Sequence, residues 1–157
     1  MKLYHGTNKD FDRIDLLKSK PNKDFGRGFY LSADYEQALN MAQVKVAQLE
    51  IGTPIVQSYL VEDEDLNSLS VLRFDGYSEE WAKFILLNRN NPTEKPVHEY
   101  DVVIGPIAND RVGVQLWRYE NSSIDLTTLV HNLQYMKGIT FQYFFGTERA
   151  IKLLKRI

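Results

Sequence analysis

The most constraining feature of this chain is an arginine between two glycines that leads directly into an aromatic, apolar segment, Asp24-Phe25-Gly26-Arg27-Gly28-Phe29-Tyr30-Leu31-Ser32. Glycine serves where the backbone takes a positive φ or approaches another group closely. The last four residues predict a short strand that enters a buried sheet. Because side chains alternate along a strand, Phe29 and Leu31 lie on one face, and Tyr30 and Ser32 lie on the other. One face can therefore enter a core while the other lines a cleft.

Length and composition indicate an ordinary globular protein. The chain has 157 residues, of which 43% are hydrophobic and 25% are charged, so we expect one domain over residues 1–157. It contains no cysteine. Disulfides, a thiolate nucleophile and cysteine-ligated metal sites are therefore excluded.

Charge and hydropathy exclude further classes. The formal net charge is -2, which argues against generic nucleic-acid binding. The N-terminal segment has no continuous apolar stretch of the kind that a secretion signal needs, and no stretch is long enough to cross a membrane. We therefore expect a cytoplasmic protein with no membrane partner.

Strands and helices are interspersed without a steady βαβ rhythm, which favours an α+β fold. Predicted strands cover residues 3–5, 29–32, 55–61, 100–104 and 139–145. Predicted helices cover residues 34–49, 78–88, 127–136 and 148–157, with an acidic turn at residues 62–65. Ser32 or Asp34 can cap the first helix, and Thr147 can cap the last.

Three polar or aromatic residues are candidates for a site. His5 ends a predicted strand, and Gly6 after it opens a backbone edge that can pair with a carboxamide; a structural histidine is the alternative. Tyr30 is either a stacking platform for a flat ring or a core aromatic. Gln142 lies among bulky apolar neighbours, and a buried amide without a partner costs about 1–3 kcal/mol. It is either a site residue or a structural residue on a strand edge.

Several motifs resemble those of the ADP-ribosyltransferases. His5-Gly6-Thr7, the block at residues 26–30 and Gln142-Tyr143 resemble the three motifs of the diphtheria-toxin and poly(ADP-ribose) polymerase branch. The chain also resembles a family of uncharacterised small bacterial proteins assigned to that superfamily, through residues 24–30, 36–38, 100–106 and the terminal strand with Gln142. This resemblance spans nearly the whole chain. It implies an α+β fold of two small facing β-sheets with peripheral helices.

The resemblance also implies NAD⁺ as a substrate and no metal. His5 would hold hydroxyls of the adenosine-side ribose, Gly6 would pair with the nicotinamide amide, and Tyr30 would stack on the nicotinamide. Met41 falls at the position of the second stacking ring, and Arg27 would face the pyrophosphate or is a solvated loop residue. The implied catalytic residues are His5, Tyr30 and Gln142, and the implied NAD⁺-binding residues are His5, Gly6, Thr7, Arg27, Tyr30, Ser32 and Met41.

Gln142 stands where the transferase pattern has glutamate. A glutamine keeps a hydrogen bond but cannot act as a general base, so polymer elongation is disfavoured. We therefore expect a mono-ADP-ribosyltransferase or NAD glycohydrolase, acting on an unidentified acceptor that is already nucleophilic, such as a carboxylate or phosphate. By analogy such an enzyme suits a toxin or defence effector. The alternatives are a silent NAD or ADP-ribose-binding module and, third, an RNA 2′-phosphotransferase-like enzyme, for which the expected arginine cluster is missing.

Overall fold

A seven-stranded mixed sheet organises the chain. The computed structural model describes residues 1–157. Its strands β1 to β7 are Lys2–Thr7, Phe29–Ser32, Ile55–Leu60, Val71–Arg73, Val102–Pro106, Phe141–Phe145 and Lys155–Arg156. The strand order is β4-β5-β6-β2-β1-β3-β7, with β4 and β5 parallel and every other neighbouring pair antiparallel. The fold is therefore α+β, as predicted.

The two halves of the sheet meet at a single residue pair. Strands β1 and β2 are joined only by Tyr4 opposite Ser32, whereas β1 pairs with β3 along its whole length. Where two small facing β-sheets were expected, this one pair joins the two halves into a single mixed sheet. Beyond it the strands separate, and the imidazole of His5 bonds the Tyr30 carbonyl oxygen.

Six α-helices surround the sheet. Helices α1 to α6 are Tyr35–Leu49, Asp63–Leu66, Glu79–Arg89, Asp110–Glu120, Leu126–Gln134 and Glu148–Ile151. Asp34 caps α1 and Thr147 caps α6 through side-chain oxygens that accept backbone N–H groups, as predicted. None of the helices combines the length and apolar character needed to cross a membrane.

Four elements differ from the sequence-based expectation. The predicted acidic turn at residues 62–65 is largely the short helix α2, and β4 and α4 were not predicted. The predicted terminal helix ends at Ile151, and the chain then forms β7 against β3. Leu154, at this break, is buried in the core, so leaving the helix allows the chain to bury an apolar side chain and to extend the sheet.

Each face of the sheet carries its own core. Phe29 and Leu31 belong to a cluster on the first face that includes residues of the C-terminal segment. Tyr30 and Phe144 pack on the second face with buried side chains of α3, α4 and α5. Helix α1 lies on the second face as well, because Ala38 and Ala42 back onto Gly6. The predicted division of β2 into two faces is confirmed.

Candidate functional site

The predicted site residues on the second face lie where β1 and β2 separate. Ser32 is opposite Tyr4 on one side and Gln142 on the other, and Tyr30 is opposite Phe144. Gly6 lies two residues beyond Tyr4 on β1 and faces the same side. We call Gly6, Tyr30, Ser32 and Gln142 the junction site. Helix α1 borders it at β1, and the α3–α5 cluster borders it at β6.

The backbone of Gly6 has no strand partner on the side of β2. Met1 and Val61 exchange hydrogen bonds in both directions, and bonding direction alternates along an antiparallel ladder. The N–H and C=O groups of Tyr4 and Gly6 therefore point toward β2. Tyr4 pairs with Ser32 there, but no later residue of β1 pairs with β2. Gly6 thus directs one donor and one acceptor toward β2 with no paired residue there, an arrangement that matches a carboxamide.

Only glycine fits at position 6. A β-carbon there would lie 2.0 Å from the Ala38 carbonyl oxygen and 2.8 Å from the Ala42 nitrogen, both in the backbone of α1. The close contact holds α1 directly against β1. It also keeps the Gly6 backbone edge free of any side chain of its own.

Tyr30 is held by its hydroxyl group. The hydroxyl donates to the Gly26 carbonyl at 2.6 Å and accepts from the Phe25 N–H at 3.0 Å. Its ring packs edge-on against Phe144, and the ammonium of Lys23 lies 5.4 Å from the ring centroid. Burial raises the pKa of Tyr30 well above its usual range, so the group is neutral at physiological pH. A ligand stacking where Lys23 lies would have to displace this lysine.

Two glutamines carry buried amide atoms without partners. The Nε2 of Gln142 and the Oε1 of Gln37 are inaccessible to solvent and make no hydrogen bond. Gln37 lies in the first turn of α1, shortly after Ser32, which is opposite Gln142. A buried unpartnered amide group costs about 1–3 kcal/mol, so these atoms call for a partner that a ligand can supply. They fit neutral polar groups such as hydroxyls and amides.

His5 lies on the opposite face from the Tyr30 ring. Its imidazole packs on Phe29 with centroids 4.1 Å apart, and its Nδ1 lies 2.7 Å from the Tyr30 carbonyl oxygen. Burial lowers the pKa of His5 to about 4, with smaller contributions from the charges of Lys45 and Lys23. The ring is therefore neutral and fills the gap between β1 and β2.

Three other predicted residues lie outside the junction site. The hydroxyl of Thr7 donates to the Lys9 carbonyl, and the side chain faces the first face with His5. Arg27 bonds the Ser19 carbonyl and pairs with Glu94. Met41 lies on α1 with its side chain 55% exposed. The structure thus brings together Gly6, Tyr30, Ser32 and Gln142, but not these three.

Sequence reasoning missed Gln37, which has a buried unpartnered amide oxygen, and Lys23, whose ammonium lies over Tyr30. Gln37 had one available signal, since residues 36–38 belong to a segment shared with the resembling family. Lys23 had none, because its position over Tyr30 depends on how the loop before β2 folds. No group of three or more histidine, aspartate or glutamate side chains is arranged to hold a metal ion.

Two surface cavities lie elsewhere. A cavity of about 530 Å³ is bordered by residues 119–125, and another of about 480 Å³ lies beside Trp117 and Arg89. Neither cavity is lined by a residue of the junction site. We rank the junction site above both cavities because it holds the buried, unpartnered Nε2 of Gln142 and the break in pairing between β1 and β2.

Comparison with known proteins gives one result for the whole length. No curated protein matches the chain. A family model matches residues 1–156, and its description is "Protein of unknown function (DUF3990)". On that match, the chain belongs to the DUF3990 family.

Proposed function

We propose that this protein is an NAD-dependent mono-ADP-ribosyltransferase, or an NAD glycohydrolase, with an ADP-ribosyltransferase-like fold. The reaction would break the bond between nicotinamide and C1 of its ribose. The ADP-ribosyl group would then pass to an acceptor or to water. One observation carries the proposal: the strand pairing stops after Tyr4 and Ser32, leaving the Gly6 edge unpaired beside Tyr30 and Gln142.

This geometry suits a nicotinamide. The Gly6 C=O can accept from the carboxamide NH₂ while the Gly6 N–H donates to its oxygen. Tyr30 is fixed by two hydrogen bonds, so its ring is preorganised for stacking. Displacing Lys23 from the ring opens that position. Both contacts orient the leaving group, and orientation is a large part of catalysis when charge develops at an adjacent atom.

Gln142 would act through its amide. Its unpartnered Nε2 can donate to a ribose hydroxyl, which fixes the sugar against the leaving group. It carries no negative charge, so it neither stabilises a developing oxocarbenium ion as a carboxylate does nor takes a proton. We expect turnover to be slow and the acceptor to be already ionised or strongly nucleophilic.

His5 takes a different part from the one that the family motif implies. Its neutral ring packs on Phe29 and bonds the Tyr30 carbonyl oxygen. It would act as a positioning residue that keeps β1 and β2 apart, so that the Gly6 edge stays unpaired. Contact with a ribose hydroxyl would require the ring to leave this place.

The test is nicotinamide release from NAD⁺, followed by proton NMR. We expect release from the wild-type protein and its loss in Tyr30→Ala. Tyr143→Ala is a matched control, because Tyr143 lies on the neighbouring strand but packs on the opposite face. Both variants are checked for folding by thermal denaturation. If a folded wild-type protein releases no nicotinamide, even with cell lysate as a source of acceptors, the enzyme proposal is wrong.

A binding module of the same fold is the second candidate. The neutral Gln142 and the exposed Met41 both favour it, since they weaken catalysis and stacking while leaving the Gly6 edge intact. Calorimetric titration with NAD⁺ and ADP-ribose separates the two. Binding without nicotinamide release supports the module.

A further inference from the structure

Tyr30 depends on the loop before β2 for its position. Its hydroxyl is held by two backbone groups of that loop, the carbonyl of Gly26 and the N–H of Phe25. A ring held in this way is no more rigid than the loop that holds it. The contacts that fix the backbone of Phe25 and Gly26 therefore decide where the Tyr30 ring lies.

His98, in the segment between α3 and β5, binds the same stretch of backbone. Its Nε2 lies 2.7 Å from the Phe25 carbonyl oxygen, and its Nδ1 lies 3.1 Å from the backbone nitrogen of Tyr100. A backbone N–H can only donate, so Nδ1 accepts, and Nε2 carries the proton that it donates to the Phe25 carbonyl. Burial lowers the pKa of His98, which keeps the ring neutral and in this tautomer at physiological pH.

Gly26 brings its backbone close to His98. Its φ is +93°, and a β-carbon at this position would lie 3.6 Å from the His98 Nε2 and 3.0 Å from the Asn88 Oδ1. Asn88 is itself 1% exposed and donates to the Phe84 carbonyl in α3. The backbone that binds the Tyr30 hydroxyl thus lies against α3 and against the segment that follows it.

Two ion pairs hold the same loop against this region. Asp24 bonds the Nε of Arg89, at the end of α3, at 2.7 Å, and Arg27 pairs with Glu94. Ion pairs that are partly open to solvent contribute little to stability. Of these three links, only that of His98 reaches the backbone of the loop.

We propose that His98 is a positioning residue that fixes the ring of Tyr30 by donating to the Phe25 carbonyl. The link runs through a single residue, because His98 binds the C=O of Phe25 and the Tyr30 hydroxyl accepts from its N–H. The inference rests on the proposed function only for what the positioned ring does, which is to stack on the nicotinamide of NAD⁺. If the loop shifts, the ring moves and the nicotinamide loses its orientation.

Two variants at position 98 separate the hydrogen bond from packing. His98 also packs among aromatic rings, with centroids 5.0 Å from Phe84 and 5.5 Å from Phe144. His98→Gln removes the ring but keeps an N–H donor that can reach the Phe25 carbonyl. His98→Phe keeps an aromatic ring but leaves that carbonyl without a donor. A positioning role and a packing role therefore predict opposite results.

The first measurement needs no ligand and follows the proton NMR signal of the Tyr30 hydroxyl, which is assigned by its absence in Tyr30→Phe. We expect this signal at its wild-type position in His98→Gln and lost or shifted in His98→Phe. Nicotinamide release from NAD⁺ is measured on the same samples. It should fall about 10- to 100-fold in His98→Phe and by less than about threefold in His98→Gln. His131→Gln, at an exposed histidine, is the control and should change neither measurement.

The reverse pattern, in which His98→Phe keeps the hydroxyl signal and His98→Gln loses it, would overturn the proposal, as would equal behaviour of the two variants. Thermal denaturation checks that both are folded. If His98→Phe is not folded, His98→Asn replaces it, because its shorter side chain ends before the position of Nε2. The expected hydroxyl signals without nicotinamide release from any sample would support the positioning role and remove the proposed function alone. Normal release with unchanged hydroxyl signals in both variants would remove this inference alone.

Discussion

Two buried polar regions of this molecule differ in whether their hydrogen bonds are complete. Asp101, on the loop before β5, is 1% exposed and accepts from the N–H and hydroxyl of Ser70, from Thr147 and from Arg149. At the junction site, by contrast, the buried Nε2 of Gln142 has no hydrogen-bond partner, and no residue of β2 pairs with Gly6. A complete network is explained by stability. Under the proposed function, a ligand would complete the second one.

The first prediction concerns Asp101, where we expect the largest effect on the free energy of unfolding. Asp101→Ala leaves the Ser70 and Thr147 donors without an acceptor, and at about 1–3 kcal/mol for each unpaired residue we expect the free energy of unfolding to fall by about 3–5 kcal/mol. Urea denaturation measures the change. Thr147→Val removes a single bond to the same carboxylate and should cost about 1 kcal/mol. A loss below about 1 kcal/mol in Asp101→Ala would mean that completeness is no guide to stability here.

The second prediction concerns the pH dependence of stability that arises from His5, whose ring lies between β1 and β2. Because burial lowers the pKa of His5 from 6.5 to about 4, the folded state resists protonation that the unfolded chain accepts. The contribution of His5 to the free energy of unfolding is therefore fully present above pH 6.5. It is lost as the pH drops toward 4, which lowers stability by up to about 3 kcal/mol.

Urea denaturation at a series of pH values measures this slope. His5→Gln should reduce it, while His131→Gln, at an exposed histidine, should leave it unchanged. Burial also lowers the pKa of His98, so a residual slope in His5→Gln belongs to that residue. An unchanged slope in His5→Gln would show that the imidazole is hydrated and does not fill the gap.

The third prediction uses two glycines. Gly6→Ala forces a β-carbon to within 2.0 Å of the Ala38 carbonyl oxygen, so α1 must shift and stability should fall by about 2 kcal/mol. Gly113→Ala is the matched control, since nothing lies within 4 Å of its β-carbon and alanine favours the helix by up to about 1 kcal/mol. Thermal denaturation compares them. Tolerance of Gly6→Ala would show that α1 does not hold the Gly6 edge open.

Local patterns predicted the framework of the site. Alternation along residues 29–32 divided the strand correctly, and Asp34 was identifiable as a cap because its side chain serves the backbone next to it. Gly6 was singled out for its open backbone edge. These features depend on neighbours in sequence, where steric and hydrogen-bonding preferences are strongest.

The remainder depends on distant contacts. The single pair at Tyr4 and Ser32 and the network of Asp101 with Ser70, Thr147 and Arg149 join segments far apart in the chain. Helix α4 was missed because Gly113 weakens its local signal and only Val112 and Leu116 are buried. The family motif also suggested that His5 contacts the ligand, whereas its alternation with Gly6 places its ring on the other face.

The smallest expected effect on stability is at Gln142. It best separates the two polar regions, because its sign is opposite to that of the effect at Asp101. Gln142→Leu removes a buried amide that makes no hydrogen bond through its Nε2, so the free energy of unfolding should stay the same or rise by up to about 1 kcal/mol. If the amide serves a ligand, the same change should weaken binding of ADP-ribose about tenfold. A clear loss of stability would instead make Gln142 a structural residue like Asp101.

Gln142→Glu completes the argument at the same position. A carboxylate there can stabilise positive charge at C1 of the ribose, so nicotinamide release should rise by about 100-fold if the missing charge limits turnover. Release that rises in Gln142→Glu but not in Gln142→Leu would assign the gain to charge rather than to shape. Unchanged release would place the limiting step elsewhere, with displacement of Lys23 from Tyr30 as the next step to examine.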